Sequence, residues 1–125
     1  MLLAVGGGGF LGSVLRYLLG GVVQDWSRSA TFPYGTLAVN ALGCFAVGFL
    51  SYLAESRGAL GAEARAFLVV GVLGGFTTFS AFANESVNLL LERERLAAVL
   101  NVSAHLILAL GGVLAGRAAG ALVWR

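Results

Sequence analysis

A chain of 125 residues, 58% apolar, 11% charged and carrying 19 glycines, is too apolar for a soluble enzyme and has room for one compact domain. Its net charge is +2, and its basic residues, all arginines, stand singly or in the stretch Arg93-Glu94-Arg95, so no basic patch offers a nucleic-acid surface. The lone Cys44, inside AVNALGCFAVGFL, excludes a disulfide framework and reads as a small, reduced, buried residue.

A bilayer core takes about 20 apolar residues per helix. Four stretches qualify as spans: Leu2 to Val23, Tyr34 to Leu53, Ala66 to Leu91 and Leu96 to Val123. The first lacks the positively charged leader of a signal peptide and is kept as mature structure. Gly8, Gly12 and Arg16 lie on one stripe of it, and Gly112, Gly116 and Gly120 form another in the fourth span. Small residues four apart allow close backbone approach, either between subunits or among the helices of one chain. The connectors DWSRSATFP, AESRGALGAEAR and ERER are short, which places both termini on one side. Arg57, Arg65, Arg117 and Arg125 then face Arg16, Arg28, Arg93 and Arg95 across the membrane. A tied count is either a weak orientation signal or a sign of insertion both ways round, which would permit antiparallel pairing.

Pro33 precedes the second span, where a helix start tolerates it. Asn40 sits within that span, with Thr36 and Gly43 on its face. An amide at that depth needs partners, so it either bonds another helix or presents its NH2 to an anion in a pore. In the third span, GVLGGFTTFSAFANES, Gly74 and Gly75 weaken the helix while Thr77, Thr78 and Ser80 offer hydroxyls to freed backbone groups. A local unwinding follows, with carbonyls that coordinate a cation or with no ion at all. Phe79 and Phe82, three apart, share a face and serve either as core or as positive ring edges for a desolvated anion. Arg16 and Glu85 lie near helix ends and can snorkel to water. His105, in the fourth span, reads as a hydrogen-bonded neutral imidazole without an acidic partner for a proton relay.

GGGGFLGSVLRY, PYGTLAVNALGCFAVGF and GVLGGFTTFSAFANE together resemble the Fluc (CrcB) family of fluoride channels over nearly the whole chain. The resemblance implies an all-α membrane protein with four transmembrane helices per subunit and a broken third helix. It further implies an antiparallel dual-topology homodimer in the inner or plasma membrane, two fluoride pores, and a structural sodium ion at the dimer centre. By position, Gly74 and Thr77 would give the sodium-binding carbonyls, Phe79 and Phe82 the aromatic edges, and Asn40 and Ser80 the polar contacts to fluoride. Arg16 would occupy a first-helix arginine near a vestibule and Glu85 the third-helix glutamate. The fourth helix departs from the family pattern: Asn101 fits the start of a hydroxyl track, but His105 stands where serine is common and Ala109 follows. A neutral histidine could donate one N–H to fluoride, whereas a protonated one could hold it too tightly for fast passage. The rival class, a small multidrug-resistance-type proton-coupled antiporter, needs a carboxylate deep in the first span, and this span has none. No nucleophile and base pair, metal cluster or phosphate loop can be assembled for an enzyme.

Overall fold

The computed structural model describes residues 1–58 and 60–124. Arg125 and the side chain of Arg57, both part of the arginine tie, lie outside the described residues. Within them the chain is helical, with α1 (Leu2–Ser27), α2 (Tyr34–Arg57), α3 (Ala62–Arg65), a π-helical stretch (Ala66–Leu73), α4 (Gly74–Phe76), α5 (Phe79–Leu91) and α6 (Arg95–Val123). Four helical runs, 2–27, 34–56, 62–91 and 95–123, are long and apolar enough to cross a membrane. Each run reaches or passes the ends expected from hydropathy, because polar residues at the water boundary, such as Asp25 and Glu63, continue the helix at no desolvation cost.

Local chemistry sets the corners. Arg28 takes a left-handed φ of 52° after α1, and Gly58, at φ 57°, closes α2 in the same way. Gln24 clasps the first connector: its Nε2 donates to the carbonyls of Ser29 (2.7 Å) and Phe32 (3.1 Å), and its Oε1 accepts from the Gly35 amide (3.0 Å). Pro33, which has no N–H to lose, offers its carbonyl to the Leu37 amide at 3.2 Å and so starts α2.

Packing is interleaved, with α2 most extensively against α6 and α1 against the π-helical stretch and α4. Glycine makes this possible. A Cβ on Gly12 would strike the Val72 carbonyl, one on Gly8 the Phe67 carbonyl, and one on Gly116 the Phe45 carbonyl. Both glycine stripes are therefore spent on contacts within the chain, and they supply no free surface for a second subunit. The buried apolar core is small, with Val39 and Leu89 among its members, while Leu3, Phe10, Ile107 and Leu114 point outward. That inversion suits a solvent as apolar as the side chains themselves.

Candidate functional site

The helical run of the third span stops at Phe76 and resumes at Phe79, with Thr77 (φ −85°, ψ 153°) and Thr78 (φ −148°, ψ 109°) extended between. Gly74 and Gly75 themselves remain helical, and Gly75 has a packing duty, since a Cβ there would lie 3.1 Å from the Ser13 amide nitrogen. The interruption is held by α2. Asn40 mimics a peptide: its Oδ1 accepts from the Thr78 amide (2.8 Å) and its Nδ2 donates to the Thr78 carbonyl (3.1 Å). The Thr78 hydroxyl caps α5 by accepting from the Ala81 amide at 3.2 Å.

These two diversions free two particular carbonyls. In a continuous helix the Thr78 amide would bond Gly74 O and the Ala81 amide would bond Thr77 O. Both amides instead go to side-chain oxygens, on Asn40 and Thr78. The Thr77 hydroxyl turns back to the Leu73 carbonyl (2.9 Å), so the side chain is occupied while its own carbonyl is released. Gly74 lies at the surface of the chain, and the nearest atom to a Cβ there would be Val69 O at 4.0 Å.

Beside the interruption is a cavity of about 220 Å³ whose wall includes Asn40, Cys44, Thr78, Phe79, Phe82 and His105. The Phe79 and Phe82 rings are 5.4 Å apart at 59°, and Phe82 lies 4.3 Å from the His105 ring at 38°. His105 Nδ1 is 3.0 Å from the carbonyl of Asn101. A carbonyl only accepts, so Nδ1 carries a proton, and the single N–H of a neutral ring is already used. Nε2 is buried and has no hydrogen-bond partner. Ser80 and Asn101 are absent from this wall. Ser80, on the first turn of α5, is exposed with its hydroxyl 3.3 Å from that of Thr78. Asn101 is wholly buried, donating from Nδ2 to the Ser86 hydroxyl (3.0 Å), which in turn donates to the Phe82 carbonyl (2.8 Å).

A larger cavity, about 550 Å³, holds Arg16 and Glu85 on its wall together with Tyr17, Gln24 and Thr36. Glu85 Oε1 accepts from the Thr36 hydroxyl at 2.6 Å, and its Oε2 is buried without a partner. Arg16 and Glu85 share the space without forming an ion pair; the pair among the described residues is Arg117–Glu55, at 2.7 Å between α6 and α2. Thr78 is common to the walls of both cavities. Sequence reasoning counted Thr78 as one hydroxyl among several and missed that it is the residue Asn40 holds. The available signal was its place three residues before Ala81, the spacing of a threonine N-cap.

Residues 3–117 match the family described as CrcB-like protein, Camphor Resistance (CrcB). The fluoride-specific ion channel FluC of Thermus thermophilus is 51% identical over 117 residues, 93% of this chain and 92% of that protein. The protein of the same name from Rhodospirillum centenum is 48% identical over 119 residues, covering 94% and 93% of the two chains. That from Elusimicrobium minutum is 47% identical over 121 residues, covering 95% and 92%.

Proposed function

The chain belongs to the CrcB family, and on that premise we propose that it is a fluoride-selective channel through which the anion leaves the cell down its electrochemical gradient. It is a multi-pass membrane protein and an ion channel rather than an enzyme. The observation that carries the reading is the meeting of Asn40, Phe79 and Phe82 on one cavity at the interruption of the third span.

Fluoride holds its water tightly, so a pore must replace that water with donors and positive edges. Asn40 commits one N–H of its NH2 to Thr78 and keeps a second for an anion. The tilted phenylalanine pair can turn positive ring edges toward the same space. Thr78, shared by both cavities, is the natural crossing point from the larger space, where Arg16 attracts anions, into the smaller one. The site must bind weakly enough for the ion to leave.

Phe79 is 79% exposed and Gly74 opens outward in a single subunit, which leaves one side of the cavity and the released carbonyls open to lipid. A second, antiparallel copy packed on this face would enclose both, making a dual-topology homodimer surrounded by lipid. The released carbonyls of Gly74 and Thr77, duplicated by such a partner, suit a sodium ion, a hard cation served by oxygen ligands. The ion would tie the two interruptions together as a structural element.

Fluoride efflux from liposomes containing the purified protein tests the reading. Flux without ATP or an imposed proton gradient, and with little chloride passage, is the expected result. Strict dependence on a proton gradient would replace the channel by an antiporter.

A further inference from the structure

The fourth span, α6, contributes to the cavity wall a titratable side chain that the channel reading leaves unused, His105. Its Nδ1 is fixed as a donor by the Asn101 carbonyl in either protonation state. In the neutral ring Nε2 is thus a lone pair, which repels an anion. It is also buried with no donor to satisfy it, in a residue only 7% exposed.

Protonation reverses the chemistry at this atom. An imidazolium presents Nε2–H, a charge-assisted donor of the kind that competes for a small hard anion. It would then need an acceptor, and among the described residues none lies within hydrogen-bond distance of it. From α2 the one titratable neighbour on the cavity is the thiol of Cys44. From the third span the nearest is Glu85, which lines the other cavity and bonds Thr36. The charged residues of α6 itself are Arg95, at its start, and Arg117, which pairs with Glu55. Among the described residues no carboxylate is placed to neutralise the ring. A proton on Nε2 gains a partner from an anion in the cavity, and the anion gains from that proton a donor beyond the Asn40 N–H and the ring edges. The Phe82 ring at 4.3 Å adds a π surface that favours a cationic neighbour.

Resting on the channel reading, we propose that His105 Nε2 is the fluoride contact of the fourth helix and acts only as imidazolium, so that fluoride and one proton occupy this cavity together.

The chain has one histidine, so its imidazole nitrogens can be followed by 15N NMR without assignment. The purified protein is titrated with acid at several fluoride concentrations, with chloride at matched ionic strength as control. One-to-one linkage moves the titration midpoint upward by about one pH unit per tenfold rise in fluoride above saturation. Chloride should leave it in place. A midpoint indifferent to fluoride overturns the proposal.

Flux at equal pH on both sides of the liposome, corrected for leak through protein-free vesicles, supplies the second readout. Wild-type flux should fall about tenfold per pH unit above the midpoint. His105→Gln, which cannot titrate, should give a flat profile whatever its rate. A flat wild-type profile overturns the role of His105 while the channel reading stands. Absence of wild-type flux at every pH overturns the channel reading itself, and the NMR titration still decides whether fluoride and a proton bind together.

Discussion

Asn40→Ala removes both side-chain partners of the Thr78 peptide at once. Interhelical hydrogen bonds in membranes average about 0.6 kcal/mol, so the two set a floor near 1 kcal/mol. The ceiling comes from the groups left behind, since an unsatisfied buried polar group costs about 1–3 kcal/mol. The Thr78 carbonyl keeps the Phe82 amide at the start of α5, but the Thr78 amide can recover only by returning to Gly74 O, which closes the interruption. A loss of about 1–3 kcal/mol follows, together with a drop in fluoride flux as the interruption closes toward a continuous helix. Unfolding in mixed detergent micelles, followed by tryptophan fluorescence, reads the first quantity, and liposome efflux the second. Asn40→Asp sharpens the test: it keeps an acceptor for the Thr78 amide but turns a carboxylate oxygen toward the Thr78 carbonyl, and should be worse than alanine. Stability within about 0.5 kcal/mol of wild type, with undiminished flux, would refute the view that Asn40 holds the interruption open.

Glycine contacts give a matched pair: Gly116→Ala drives a methyl into the Phe45 carbonyl and should cost about 1–3 kcal/mol, whereas Gly111→Ala meets open space and should be neutral or slightly stabilising, both read by the same unfolding assay. Phe82→Leu, which removes a ring from between Phe79 and His105, should lower fluoride flux several-fold while preserving the oligomer on size exclusion, and unchanged flux would count against an aromatic contact. Sodium should raise the melting temperature of the wild type and of Thr77→Val, whose lost hydroxyl bonds only Leu73 O, but not of Gly74→Phe; a sodium response retained in Gly74→Phe would contradict the carbonyl site. A reporter fused to the C-terminus should be found on both membrane faces, and detection on one face alone would remove the dual-topology reading.

The spans were legible because uninterrupted apolar runs carry their own length, and the helix ends were less so because polar residues at the interface continue a helix as readily as they stop it. Glycine spacing announced close approach but not its partner: the same stripe fits a neighbouring subunit or a neighbouring helix, and only the chain's three-dimensional course assigns Gly12 to Val72 and Gly116 to Phe45. The doubled glycine drew attention to residues 74 and 75, whereas the extended residues are Thr77 and Thr78. Propensity marks where a helix is weak, and a partner 38 residues away, Asn40, decides where it parts. The π-helical stretch 66–73 left no trace in an apolar run that suits an ordinary helix equally well. The Thr36–Glu85 bond was likewise unreadable, because a carboxylate near a helix end can reach water and its position alone calls for no partner within the chain.

The interleaved packing has a consequence for synthesis. Because α1 fits the third span and α2 fits the fourth, the groove at Gly8 and Gly12 is laid down two spans before the helix that fills it, whereas the stripe at Gly112, Gly116 and Gly120 arrives with the fourth span and closes on an α2 already made. The first hairpin, clasped by Gln24, leaves the insertion machinery with its best surfaces vacant and facing lipid. A chain halted after α2 would hold Gly8 and Gly12 open to any small-residue helix nearby, a surface that only the third span closes.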